Sequence, residues 1–308
     1  LFLLVADTAG AGPASAVRRV VVIDKARKEL SVFQDAQRVG RFAATFGIDP
    51  VSDKRRIHDL ATPEGLYFIT YRNARTRFHR SLGLSYPNLA DAQRGLASGA
   101  VSESGYRRVR AAVRRGRPTP CDTGLGCAIA IHGGGVRRQF GEFLERDWTE
   151  GCVALDNRDM DVLFRLCRPG DPVIVFNSAR NLFGIIRPFT EAVGLDDRGL
   201  PFCPDGVCAY STTLRTWLGP TTLTVREGAE VFLEVVVHGE NGPVLAITDR
   251  NADGEISFLD SVGGTMADAS APDSAYALVR CAIVVALSSG VLPRGDDASS
   301  LAVSRYLD

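Results

Sequence analysis

Short apolar runs with a two-residue period, broken by turn residues, dominate the first half of the chain and predict strands. Val20 to Ile23 is apolar and β-branched, and ELSVF follows it across the turn-prone DKARK segment, which predicts a hairpin. RFAATFGI and, after the Thr62-Pro63-Glu64-Gly65 turn, GLYFITYR continue the series. Helical spacing interrupts it at Asp91 to Leu96, at Glu103 to Arg115 and at Arg158 to Cys167, where Met160, Leu163, Phe164 and Cys167 share a face. CAIAIHG predicts a strand ending at His132, CVAL a strand beginning at Cys152, and RPGDPVIVF a turn into a further strand. After Arg180 the pattern loosens, and Glu191 to Pro201 has the glycine and charge content of a linker. Beyond it, TLTVREGAEVFLEVVVHG alternates like paired strands around a turn, and Val244 to Thr248 adds another. The expected fold class is mainly β with inserted helices (α+β), in two units.

Composition sharpens this picture only a little. At 308 residues the chain is long enough for two domains, and its 45% hydrophobic content is that of a globular protein. Thirty-six basic and 36 acidic side chains cancel, so no global field draws the protein to nucleic acid. The one local excess is YRRVRAAVRRGR, with Arg107, Arg108, Arg110, Arg114, Arg115 and Arg117, which reads as a solvated helix face or an anion-binding patch. No apolar run approaches the ~20 residues that a membrane span requires. The amino end, LFLLVADTAGAGPASA, passes from apolar to small residues and closes on Ala14-Ser15-Ala16, which reads as the remnant of an export signal.

Candidate chemistry lies between Ile131 and Asn157. His132 in IHGGG and Cys152 in WTEGCVALDN each sit among glycines where a strand meets a loop. A cysteine becomes a nucleophile as thiolate, and an imidazole beside it takes the thiol proton and returns it to a leaving amine. The pair therefore points to acyl transfer. Gly151 removes bulk beside the sulfur and frees backbone N–H groups to face an oxyanion, while Gly133, Gly134 and Gly135 are expected to keep the flank of the histidine open.

These residues resemble the L,D-transpeptidase family with the YkuD-type catalytic domain, whose signature is a histidine, a spacer of this length, then [Ser/Thr]-His-Gly-Cys and a nearby Asn. Here sixteen residues separate His132 from Thr149, Glu150, Gly151 and Cys152, and Asn157 follows. TPEGLYFI from Thr62, LGLSYPN from Leu82 and TGLGCAIAIHG from Thr123 fall in order upstream. The resemblance runs from near Val20 to near Val175. Two departures stand out: Glu150 replaces the histidine of the signature, and Ala154 stands where an arginine is common.

The resemblance implies a β-sandwich catalytic domain over 18–177; the residue pattern adds a signal remnant at 1–17, a linker at 178–200 and a smaller strand-rich domain at 201–308. The resemblance further implies a stem peptide of peptidoglycan as substrate, a thioester on Cys152, His132 as acid and base, Gly133 and Gly151 as supporting backbone, and Tyr86, Asn88 and Thr149 as candidates along the substrate groove. The acceptor can be an amine, giving a crosslink, or water, giving an L,D-carboxypeptidase or an amidase that releases wall-attached lipoprotein. A non-catalytic peptidoglycan-binding protein is the rival from another class; retention of both His132 and Cys152 argues for the enzyme. Its place would be the periplasm or cell envelope, with no organic cofactor.

Two further features belong to the residues themselves. DRNADGEISFLD places Asp249, Asn251, Asp253, Glu255 (by its carbonyl), Ser257 and Asp260 at the spacing of a calcium loop, with Gly254 at the sharp turn. A calcium ion bracing the second domain is the expectation; a turn that never meets metal is the alternative. Seven cysteines leave at least one unpaired, for which Cys152 is the natural choice. Cys121 with Cys127 and Cys203 with Cys208 can close small loops, and Cys167 and Cys281 read as buried thiols or as a pair joining the domains.

Overall fold

The computed structural model describes residues 19–115, 117–141, 143–265 and 272–293; the export-signal reading of 1–17 lies outside them. The first unit is built on strands β1 (Arg19–Asp24), β2 (Glu29–Gln34), β3 (Gln37–Ala43), β4 (Gly65–Thr76), β5 (His79–Leu84) and β6 (Ala130–His132). It also holds a small hairpin, β7 (Arg138–Phe140) with β8 (Phe143–Glu145), and then β9 (Val153–Ala154) and β10 (Pro172–Phe176). Eight of these strands form one mixed sheet in the order β3-β2-β1-β10-β4-β5-β6-β9, in which β1–β10 and β6–β9 are parallel pairs. Helices α1 (Leu89–Ala97), α2 (Glu103–Arg114) and α3 (Asn157–Leu166) fall where the periodicity predicts them. Each starts where a side chain takes over the first N–H groups or an extended residue breaks the preceding strand: Asn88 and Asp91 form a reciprocal capping box, and Ser102 accepts from Gly105 N–H. Ala92, Tyr106, Val109, Met160, Leu163 and Phe164 press these helices onto one face of the sheet. The arginine face of α2 is largely a solvated one, with Arg107 paired to Glu103 and Arg108 to Asp122.

The second unit is a six-stranded antiparallel sheet, β11 (Glu191–Ala192), β12 (Cys208–Thr216), β13 (Gly219–Glu227), β14 (Phe232–Gly239), β15 (Gly242–Asp249) and β16 (Ser261–Gly263), in sequence order. A short helix α4 (Leu182–Ile186) precedes it and α5 (Pro272–Ser288) follows. This sheet does not hang from a free tether. Along β1 and β10, Val21, Ile23, Val173 and Val175 face the first core, whereas Val20, Val22, Ile174 and Phe176 face a second core. That second core is completed by Ile185 of α4, Leu223 and Val235 of the six-stranded sheet, and Val279 and Ile283 of α5. Strands buried on both faces read as continuous apolar runs, which is why VVVI and VIVF lack alternation.

The linker expected at 178–200 is corrected accordingly. Leu182, Ile185, Ile186, Phe189 and Leu200 are buried, Ala192 N–H donates to the Gln93 side chain, and the Tyr106 hydroxyl donates to the Gly199 carbonyl. Its glycines and charges serve turns: Asp196 accepts from the Arg198 and Leu200 N–H groups. Cys121–Cys127 and Cys203–Cys208 are disulfides, and Cys152, Cys167 and Cys281 are free. Cys167 is buried as expected, but Cys281 lies on the exposed side of α5, so the two do not join the units. Among the described residues no helix is long and apolar enough to cross a membrane.

Ile174 is fully buried between the two units. Ile174→Ala is therefore expected to cost about 2–5 kcal/mol and to lower one common melting transition. Calorimetry that resolved two transitions, with only the first displaced, would contradict the shared core.

Candidate active site

The parallel pairing of β6 with β9 sets the two sequence-predicted partners on neighbouring segments of the sheet. Ile131 sits opposite Val153 and His132 opposite Ala154, with Ile131 and Val153 both completely buried in the first core. Since side chains alternate along a strand, His132 and Cys152, one step out of phase with that buried pair, point to the other face together. The Cys152 turn is clamped by the segment after β3. Thr45 and Ala154 exchange both backbone hydrogen bonds, Thr149 N–H donates to the Phe46 carbonyl at 3.0 Å, and Ile48 N–H donates to the Thr149 carbonyl at 3.0 Å.

Within the turn, the Thr149 hydroxyl donates to the Cys152 carbonyl at 2.7 Å and accepts from Gly151 N–H at 3.1 Å. Thr149 is buried and braces the Cys152 loop, and it does not line the groove described below. The same bond takes up the Gly151 N–H, which corrects the expectation that this group is free to face an oxyanion. Glycine is required at 151 for two reasons: its φ is +131°, and a Cβ there would lie 2.7 Å from the Ala61 carbonyl oxygen. Glu150 is solvent-exposed.

His132 is 4% exposed, and its Nδ1 lies 2.6 Å from the Gly133 carbonyl oxygen. A carbonyl only accepts, so Nδ1 carries the proton and Nε2 is left as the basic nitrogen. Phe78, at the tip of the β4–β5 hairpin, stacks on the imidazole with ring centres 4.6 Å apart and planes at 18°, and Trp148 tilts against it at 5.7 Å. Trp148 is pinned by its indole N–H to the Gly135 carbonyl at 3.0 Å. The glycines after His132 thus do not leave its flank open. A Cβ on Gly133 would meet the Asn157 side-chain oxygen at 2.6 Å and the Phe78 carbonyl at 2.8 Å, and Asn157 accepts from Gly134 N–H. Phe78 and Trp148 were not singled out by sequence reasoning; Trp148 stands in the WTEGC motif itself, which was the available signal.

A model of the L,D-transpeptidase catalytic domain (YkuD) matches residues 18–175. The chain belongs to the L,D-transpeptidase family. Solved structures similar to it include an L,D-transpeptidase from Xylanimonas cellulosilytica, at 17% identity and TM-score 0.30, covering 53% of this chain and 63% of that one. Another is the L,D-transpeptidase from Mycobacterium smegmatis, at 11% identity and TM-score 0.30, covering 52% and 58%. A third is L,D-transpeptidase 1 of Mycobacterium tuberculosis, at 14% identity and TM-score 0.26, covering 52% and 62%. The chain thus spans roughly three fifths of each of these proteins. A comparison with curated proteins finds no match.

In this L,D-transpeptidase domain a groove of about 260 Å³ opens on the cysteine side of the sheet. Leu66, Phe68, Tyr71, Tyr86 and Asn88 line it, with the Cys121–Cys127 disulfide and Ala128 as its far wall. Ala128 joins groove to thiol, since Cys152 Sγ lies 3.8 Å from its carbonyl oxygen. Tyr86 and Asn88 border the groove while serving structure. The Tyr86 hydroxyl donates to the Leu125 carbonyl, and Asn88 caps α1 and donates to the Leu66 carbonyl.

Electrostatics set the resting protonation of the pair. Burial pushes the Cys152 thiol above its ordinary pKa; a backbone hydrogen bond from Ala130 opposes this most, then Lys54, while Glu150 adds to the rise and Arg77 opposes it. Burial holds the His132 imidazole below its ordinary value; the Gly133 carbonyl opposes this, and Arg77 and Arg138 reinforce it. Both groups are therefore neutral near pH 7, as thiol and imidazole rather than thiolate and imidazolium. Iodoacetamide alkylation of Cys152 is expected to stay slow through neutral pH and to rise with an inflection above about 8.5, the ordinary thiol value. A plateau already reached at acid pH would indicate a preformed ion pair and contradict this.

At the calcium-type loop the carboxylates are engaged within the loop, except that Asp249 Oδ1 is buried with no hydrogen-bond partner. Asp249 accepts from Gly254 N–H, Asp253 from Glu255 N–H and the Asn251 amide, and Asp260 from Arg250 N–H and from both the N–H and hydroxyl of Ser257. The carboxylates turn to their own backbone, and among the described residues no group of three His, Cys, Asp or Glu side chains converges on an ion site. The carboxylates are thus held largely by the loop's own N–H groups, and the loop docks on α4 through Asn181 donating to the Asp253 carbonyl at 2.9 Å. Millimolar calcium separates the two readings: an unmoved melting curve marks a loop held by its own N–H groups, and a rise of several degrees in Tm marks an ion on the unpaired Asp249 oxygen.

Proposed function

We propose that this chain is a cysteine-dependent L,D-transpeptidase that acts on peptidoglycan stem peptides through a thioester. The single observation that carries the reading is the shared face of Cys152 and His132, with Nδ1 committed to the Gly133 carbonyl and Nε2 free for the thiol proton. As Cys152 Sγ attacks the carbonyl carbon after the third residue of the stem, its proton passes to His132 Nε2 and a C–S bond forms. The negative charge on the carbonyl oxygen is taken by the Cys152 N–H, since Thr149 occupies that of Gly151. The C–N bond then breaks, and His132 returns the proton to the leaving amine. In the second half an acceptor amine attacks the thioester, His132 takes its proton, and the C–S bond breaks to restore the thiol.

Phe78 and Trp148 support this reading because they hold the imidazole plane and exclude water from its far side. The groove bordered by Tyr71, Tyr86 and Asn88 supports the reading because Ala128, which lines it, touches the thiol, so a donor stem lying in it would end beside Cys152. Two disulfides support a site of action outside the cytoplasmic membrane, where such bonds persist.

Incubation with a disaccharide-tetrapeptide, with and without a second muropeptide bearing a free amine, tests the proposal by product mass. A crosslinked dimer is expected, abolished by Cys152→Ala and reduced by about 10²–10⁴-fold by His132→Ala. A tripeptide alone would move the assignment to hydrolysis, and product that survived Cys152→Ala would overturn it.

A further inference from the structure

The arginine that family members commonly carry two residues after the cysteine is Ala154 here, and Ala154 is completely buried. A different cation occupies the neighbourhood. Lys54 lies in the loop between β3 and β4, its side chain 4% exposed, with Nζ 2.7 Å from Asp59 Oδ1. The same Nζ lies 3.5 Å from the position that a Cβ on Gly151 would take, so the ammonium rests directly against the residue that precedes the nucleophile. A buried lysine is costly to desolvate, and one ion pair at a loop base is weak compensation for it. Its position against the turn gives it a further task.

We infer that Lys54 is the fixed cation of this active site, held by Asp59 against the Cys152 turn, where it stabilises negative charge on the sulfur and on the tetrahedral oxyanion. The inference rests on the reading of Cys152 as nucleophile. Asp59 is suited to hold the lysine without cancelling its field. Its Oδ1 also accepts from Ala61 N–H at 3.2 Å, and its Oδ2 accepts from the N–H groups of Arg55 at 2.6 Å and Arg56 at 2.9 Å, which disperse the carboxylate charge over the loop. Burial alone would raise the Asp59 carboxyl, but the Lys54 bond and these three amides hold it below the ordinary range, so it remains an anion to anchor the lysine. Only one of the three ammonium donors is used on Asp59, which leaves the others for the turn or for a substrate oxygen.

The charged groups that act on the thiol are Lys54 from this loop, Arg77 from the β4–β5 hairpin and Glu150 from the turn itself; the thiol in turn acts on Tyr71 of β4, and His132 lies on the paired strand. Arg77 is not equivalent to Lys54. Its guanidinium lies over the Phe78 ring at 4.6 Å and acts on His132 as well, so its removal would disturb both partners. Lys54 acts on the sulfur side alone among the effects on this pair.

The test follows iodoacetamide alkylation of the Cys152 peptide by mass across pH, in the full chain and with no muropeptide present. Lys54→Gln, whose amide can still donate to Asp59, is expected to raise the inflection by about one pH unit, and Lys54→Arg to restore it. Asp59→Asn, which removes the counter-charge, is expected to lower it, and carries the test if Lys54→Gln fails to fold. In muropeptide turnover Lys54→Gln should reduce kcat about tenfold and leave KM nearly unchanged, since the charge acts on the transition state. An unmoved inflection in a folded variant, even with a lowered Tm, would make Lys54 a loop staple and overturn the inference. Because alkylation reads the thiol without substrate, a chain that failed to turn over stem peptides would still give a clear answer about Lys54.

Discussion

Everything at this site depends on a two-residue parallel ladder between β6 and β9. Ile131 and Val153 are its anchors, both completely buried, and burying such side chains contributes about 1.5–3 kcal/mol each. With that pair fixed in the core, the pleat leaves His132 and the residue before Val153 no choice of face. A slip of one residue would turn both toward the core and present Ile131 and Val153 instead. Core packing and chemistry are therefore one constraint, and the segment after β3 reinforces it from the far side by bonding both Thr149 and Ala154.

The same economy extends through the molecule. β1 and β10 bury both faces, one against α1, α2 and α3 and the other against α4, α5 and the six-stranded sheet. The catalytic sheet is thus backed by the second unit, and the Asp249 to Asp260 loop helps to seat that unit by docking on Asn181. The active site itself is built from hydrogen bonds that fix tautomer and turn: Nδ1 of His132 on Gly133, Gly151 on Thr149, Trp148 on Gly135. Beside these bonds the Cys152 thiol makes only a long contact with the Ala128 carbonyl, at 3.8 Å.

Much of this was legible in the chain. The order of strands and helices followed from periodicity, and the proposed pairing of His132 with Cys152 came from residue chemistry, spacing and the resemblance to the L,D-transpeptidase family, because these depend on local signals. What the sequence hid depends on contacts distant along the chain. Phe78 reaches His132 from a hairpin tip, and Lys54 reaches Gly151 from a loop almost a hundred residues earlier, with no periodic mark on either. The 178–200 segment looked like a linker because its glycines and charges serve tight turns, and only its burial reveals the role of Leu182, Ile186 and Phe189. The calcium reading found no support for a related reason: alternating oxygens suit a cation, but they also suit the loop's own N–H groups, which here engage Asp253, Asp260 and one oxygen of Asp249.

The central claim is that acyl transfer passes through Cys152 in a neutral thiol–imidazole pair. It is met most directly by rapid acid quenching of the full chain with a tetrapeptide stem donor, followed by peptide mapping by mass. The account predicts a transient adduct of tripeptide mass on the peptide containing Cys152, labile to hydroxylamine as a thioester is, and missing from Cys152→Ala. Turnover with no adduct at any time, or an adduct on another residue, would contradict it.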